Sequence, residues 1–148
     1  MTELTAEAQE VALAESQAVL AMARDDGRRQ QLAELVAEVA EGAVGETEAL
    51  LEQVLELGLQ AGRIRAYYGP GGEQAALKTL RRLPRGRARA ESAREVSEAL
   101  SSLEGNVLER VSVAAVAPGA YTLTVHAGGL ELSARLDVSG ARLASVAT

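Results

Sequence analysis

The hydrophobic pattern of the chain changes period near residue 106. Before it, apolar positions recur every three or four residues, the spacing of one helix face; after it they alternate, the spacing of one sheet face. Residues 3–24 place Leu4, Ala8, Val11, Ala18 and Met22 on one stripe, with Glu15 inside it, and predict a first helix. Asp25-Asp26-Gly27 is a turn signal, and Leu32, Leu35, Val36, Val39 and Ala40 predict a second helix over 28–41. Gly42 and Gly45 frame a break. A third helix, 46–67, carries the strongest pattern. Leu50, Val54, Leu57, Ala61 and Ile64 run at spacings 4, 3, 4, 3, the seam of a coiled coil, with Leu51 and Leu55 beside it.

The run Tyr67-Tyr68-Gly69-Pro70-Gly71-Gly72 reads as a loop, followed by a short helix over 73–83 that Pro84 ends. Residues 84–90 read as loop. Ser92 and Glu95 form the S-x-x-E capping box of a helix over 92–104, which Gly105-Asn106 stops. Beyond it, Pro118-Gly119, Gly128-Gly129 and Ser139-Gly140 separate four alternating runs, so the C-terminal part reads as an antiparallel meander with one apolar and one polar face. The expected fold class is α+β: three to four N-terminal helices, then a helix and a four-stranded antiparallel meander. The expected parts are an acidic helical region over 1–68, a Gly/Pro- and Arg-rich connection with a short helix over 69–90, and a helix-plus-sheet module over 91–148.

The order of elements in 92–148, with the strands YTLTVHAGGLELSARLDVSGARLASV, resembles the helix-plus-curved-sheet topology of cystatin-like and PepSY-type modules. The resemblance implies a curved sheet with a concave face. It implies nothing about activity.

Composition sharpens the picture in two ways. Aromatic residues are 2% of the chain, with no Phe or Trp, so the core is built from Leu, Val and Ala. Small side chains bury less apolar area each, so stability would lean on close helix packing or on a partner subunit. There is no Cys, which excludes disulfides, thiolate metal sites and a Cys nucleophile. The start MTELTAEAQE lacks the pattern of an export leader, and no run reaches the length of a membrane span, so a cytoplasmic protein without membrane association is expected.

The net charge of −6 hides three blocks. Residues 1–60 carry 13 acids and 3 bases, residues 61–94 carry 9 bases and 2 acids, and residues 95–148 carry 6 acids and 3 bases. The basic block centres on RRLPRGRARA, residues 81–90. Lys78, Arg81, Arg82, Arg85, Arg87, Arg89 and Arg94 are its candidate phosphate-binding residues. Arg85, Arg87 and Arg89 would point one way along an extended segment and could track a nucleic-acid backbone. Residues 73–120 hold no aromatic ring on which a base could stack. The competing reading is charge pairing with the acidic helices.

Other motifs carry less chemistry. GPGG at 69–72 lacks the Walker A pattern. His126 is the single histidine, with Glu131, Ser133 and Thr124 expected on the same sheet face, which is the pattern of an ordinary polar surface. The glutamates of the first helices have no E-x-x-H partner motif for a metal. No cofactor, metal or catalytic set is expected. The leading expectation is a small non-catalytic interaction or adaptor protein, a homo-oligomer that also meets an unidentified protein partner. Its self-association surface is Leu50, Val54, Leu57, Ala61, Ile64, Tyr67 and Tyr68. The second is a nucleic-acid-associated accessory protein using residues 78–94. The third is a ligand-binding or enzymatic module on the concave sheet face. In the leading reading, a strand at the edge of the meander could also pair with a partner strand.

Overall fold

A computed structural model describes all 148 residues. The chain is α+β. Its elements are β1 (Thr2–Glu3), α1 (Ala6–Met22), α2 (Asp26–Ala40), β2 (Ala43–Val44), α3 (Glu48–Gln60), α4 (Arg63–Arg82), α5 (Pro84–Ser101), β3 (Leu108–Ala117), β4 (Ala120–Ala127), β5 (Leu130–Asp137) and β6 (Gly140–Ala147). Two compact units result, residues 1–87 and 88–148.

In the first unit α1 packs on α2, α3 and α4, and β1 pairs with β2 as a two-stranded antiparallel sheet. The core is Leu, Val, Ile and Ala alone, including Val11, Leu32, Leu35, Val39, Leu51, Val54, Leu55 and Ile64. Helix starts follow the sequence chemistry. Thr5 accepts from the Ala8 amide to cap α1, and Asp25 accepts from the Arg28 amide to cap α2.

Three expectations for this unit are corrected. The expected helix over 46–67 is two helices. Gly62 takes a left-handed conformation (φ 73°) just past the end of α3, where a glycine stops a helix at least cost, and its amide bonds back to the Leu59 carbonyl. The heptad spacing through Ala61 and Ile64 therefore bridges a turn and is not one seam. Gly58 lets side chains of other helices approach closely: a Cβ there would lie 2.8 Å from Glu15 Oε2 and 2.9 Å from Ile64 Cδ1.

Second, Gly69-Pro70 is a kink and not a loop. Gly69 alone is non-helical (φ 69°, ψ −171°), and helix resumes at Pro70, whose missing N–H costs nothing in a first turn. Third, residues 84–90 are helical. Pro84 does end α4, with Leu83 extended at ψ 161°, but it also begins α5. The first α5 bond runs from the Arg87 amide to the Leu83 carbonyl at 2.8 Å, which makes Leu83 the cap residue and Pro84 the first helical position. Ser92 and Glu95 fall inside α5 rather than at its start. Most of the stretch 69–90 belongs to the first unit, where α4 packs on α1 and α3, and the boundary between the units falls within it at 87/88.

The second unit holds α5 beyond its first turn and the meander, in the strand order β3-β4-β5-β6. All three hairpins follow the glycine signals. Gly128 and Gly129 both have positive φ (59° and 77°), as a tight two-residue hairpin turn requires. The register aligns Val111, Val125, Leu132 and Val146 across the four strands on one face, and Ser112, Thr124, Ser133 and Ser145 on the other. A register shift between Leu108 and Arg110 puts Leu108 on the apolar face with Val111, against simple alternation. The core here is small: Leu103, Val125, Ala127 and Leu132, joined by Ala99, Leu100, Leu123 and Leu130. Its strand residues all lie on β4 and β5. A helix about 10 Å across covers about two strands spaced about 4.8 Å apart, so the outer strands overhang it.

The α4–α5 junction supplies a test. A Cβ on Gly86 would meet the Leu80 carbonyl oxygen at 1.7 Å, whereas one on Gly45 meets nothing. Gly86→Ala is expected to lower stability by about 3 kcal/mol, the upper range for forced overpacking, while Gly45→Ala stays within about 0.5 kcal/mol of the parent. Urea denaturation of the two variants decides it; equal midpoints would contradict this junction.

Candidate functional site

The arginine segment is engaged with the protein's own oxygens. Leu83 has no side-chain acceptor for the orphan amides of α5's first turn. The Glu52 carboxylate, carried on α3 and only 1% exposed, takes that role: it accepts from the Gly86 amide at 2.9 Å. Arg85 Nε sits 3.3 Å from the same carboxylate, and Arg85 Nη2 donates to Glu56 at 3.1 Å. One buried anion thus meets a helix N-terminus and a guanidinium together. Arg87 lies 3.8 Å from Glu48, which also accepts from the Thr2 hydroxyl at 2.7 Å. Arg82 donates to the Glu3 carbonyl at 2.9 Å.

Within the second unit Arg94 bridges Glu91 and Glu98 along α5. Hydrogen bonding to Arg94, then its charge, holds Glu91 below the usual carboxylate range, and Glu91 and Glu98 raise Arg94. Arg89 is also engaged, and its stem packs beside Gly140. Lys78 and Arg81 are exposed and form no ion pair. Lys78 lines a shallow hollow of about 480 Å³ with Thr5, Glu7 and Arg82. The seven candidate cations therefore form no common row: Arg85 and Arg87 turn toward α3 carboxylates, Arg82 toward the N-terminal strand, and Arg94 along its own helix.

The expected self-association set is dispersed as well. Val54 and Ile64 are core residues of the first unit, and Leu50 and Tyr68 pack against that core. Leu57, Ala61 and Tyr67 are exposed. Burial pushes the Tyr68 phenol up, with help from Glu15 and Glu10. Glu15 is itself buried and lies 3.1 Å from Arg63.

Sequence reasoning did not identify two carboxylate clamps. Glu38 accepts from the Thr47 hydroxyl at 2.6 Å and from the amides of Gly45, Glu46 and Thr47. Burial raises its pKa, and these four bonds together outweigh that and leave it lowered. Asp137 accepts from the Ser139 hydroxyl and amide and faces Arg135 and Arg142. Those bonds, the Ser139 ones foremost, hold it at about 2. An S-G pair after an Asp was the available signal for the second; the first depends on a loop closing onto a helix and left none.

On the polar sheet face, His126 and Glu131 are cross-strand partners, as are Thr124 and Ser133. The His126 Nε2 to Glu131 Oε2 distance is 3.6 Å, too long for a hydrogen bond. The hollow there is about 210 Å³ and is lined by Glu109, His126, Leu130 and Glu131 among others, while Arg135 is tied to Asp137. No group of three or more His, Asp or Glu side chains is placed to hold a metal. No helix is long and apolar enough to cross a membrane.

The most open surface is the outer strand of the meander. All ten residues of β3 are exposed, on both faces, among them Leu108, Val111, Val113 and Val116. On the apolar face they are joined by Tyr121, Leu136, Leu143 and Val146. No protein-family model, curated protein or solved structure matches the chain.

Asp137 gives a pH test. Its folded pKa lies below the ordinary value of 3.8, so its contribution is full above that value and is lost as pH falls toward about 2. The stability difference between the parent and Asp137→Asn is expected to be constant down to about pH 4 and to shrink between about pH 4 and pH 2. Parallel urea-denaturation profiles across that range would contradict the clamp.

Proposed function

We propose that this chain is a non-catalytic interaction protein that self-associates, and that its interaction surface is the C-terminal sheet. The observation that carries the reading is β3, a ten-residue strand exposed along its whole length. Apolar side chains exposed together on one surface are what docking patches are made of, and Leu108, Val111, Val113 and Val116 are all exposed on this strand. The poverty of large side chains supports it further, because the buried apolar residues of the second unit are Val96, Leu103, Ala120, Val125, Ala127, Leu132 and Ala134, none of them aromatic. The N-terminal seam is the weaker candidate, since Val54 and Ile64 are already used inside the first unit.

The nucleic-acid reading has less support. Counterion release needs several free cations facing one backbone, and Arg82, Arg85, Arg87 and Arg94 already have oxygen partners. A catalytic reading has no nucleophile–base–acid arrangement to rest on.

Light scattering of the parent from about 1 to about 200 µM, a range chosen to bracket a small interface, tests self-association. A mass rising above the 15.4 kDa of one chain is expected. A strict monomer across the range would sink it.

A further inference from the structure

We propose that the hollow between the start of α1 and α4 binds a small phosphomonoester, whose phosphate group sits on Lys78 and Arg82. The site lies in the first unit and is independent of self-association through the sheet.

The cations of the basic block divide by what meets them. Arg85, Arg87 and Arg94 face carboxylates. Lys78 and Arg82 do not. Lys78 makes no hydrogen bond or ion pair, and Arg82 meets only the Glu3 carbonyl, through Nη1. The two stand four residues apart on α4, on one face, where like charges weaken a helix. Both line the hollow of about 480 Å³ beside α1. Two positive charges that no carboxylate meets thus face one space, in a chain whose net charge is −6. Glu7, the carboxylate that also lines the hollow, is no counter-ion for them. Its Oε1 lies 2.9 Å from where a Cβ on Gly71 would stand, and Gly71 is about 10 Å of helix from Lys78.

The class of ligand follows from charge, donors and size. A phosphate monoester carries about −1.5 to −2 at neutral pH and three acceptor oxygens, which answers two cations; a carboxylate would leave one of them unmet. The donors match as well. Lys78 brings an ammonium group and Arg82 a planar guanidinium fork, both suited to phosphate oxygens. The Thr5 hydroxyl oxygen accepts from the Ala8 amide, which leaves its O–H to donate into the hollow. On the buried side, Ala75 and Thr79 are 8% and 5% exposed, and the Thr79 hydroxyl is turned to the Ala75 carbonyl. That side asks for no hydrogen bond and suits the organic part of the ester. Ligand pockets run from about 300 to about 1,000 Å³, so the hollow is large enough for more than a bare phosphate.

Calorimetric titration of the full chain with phenyl phosphate, in a buffer of low ionic strength, tests the site. One equivalent is expected to bind with a Kd at or below about 1 mM. Benzoate, the carboxylate with the same ring, is expected to bind at least about tenfold more weakly, as the loss of a charged hydrogen bond requires. Lys78→Gln is expected to weaken phenyl phosphate at least about tenfold for the same reason. Arg29→Gln removes the same charge from an exposed position of α2, away from the hollow, and is expected to change the affinity by less than about twofold, since salt screens distant charges. Both side chains are exposed and without partners, so both variants keep the fold, and urea midpoints equal to the parent's establish it. No binding by the parent at about ten times that Kd overturns the site. Equal weakening by Lys78→Gln and Arg29→Gln also overturns it, because the attraction is then diffuse. Benzoate binding as tightly as phenyl phosphate overturns the phosphate assignment.

Discussion

The first unit depends on one buried carboxylate. Glu52 sits within a layer of Leu, Val and Ile, where an unpaired charge would be costly, and its position is tolerable only because α5 begins beside it. The amide of Gly86 and the guanidinium of Arg85 reach it together. Each partner explains a neighbour in the sequence. Leu83 cannot cap a helix, so a cap must come from elsewhere. Pro84 fixes the first helical position without needing an acceptor. Gly86 leaves room for the Leu80 carbonyl. Read this way, LPRG is a helix start whose cap is borrowed from α3, and the basic character of the segment answers the acidic character of α3. A buried pair of this kind is weak evidence for net stability, because desolvation offsets most of the attraction. Breaking it by removing one partner is costly, because it leaves the other charge buried and uncompensated.

How much of this was legible in the sequence depends on how local its cause is. The period change near residue 106, the four strands, their hairpins and the pairing of His126 with Glu131 all follow from alternation and glycine turns, which are local. The α+β order follows with them. The seam from Leu50 to Ile64 did not survive, because heptad spacing is blind to a glycine that terminates a helix one turn early. The capping box at Ser92 and Glu95 was a true local motif outcompeted by a start eight residues earlier. That start depends on Glu52, 34 residues away in sequence, and no local pattern reports it. The same reasoning separates the arginines: their charge was visible, but their partners were tertiary.

The two units invert one another chemically. The first is dense in carboxylates and arginines, and Glu52, Glu48 and Glu15 are met by Arg85, Arg87 and Arg63 around an enclosed Leu, Val and Ile core. The second carries few charges and encloses little, leaving β3 bare on both faces and along its backbone edge. Charge therefore reads as internal architecture in the first unit. Apolar exposure in the second lies on β3, whose Leu108, Val111, Val113 and Val116 are open to solvent beside Glu109 and Arg110.

The central claim is that Glu52 and Arg85 act as one interaction that serves the fold. A double-mutant cycle of Glu52→Gln, Arg85→Gln and their combination, read by urea denaturation, tests it most directly. The account predicts coupling of about 1–3 kcal/mol, the range for residues in one charged hydrogen-bond network. Additive losses, with coupling near zero, would contradict it and return the arginine segment to solvent.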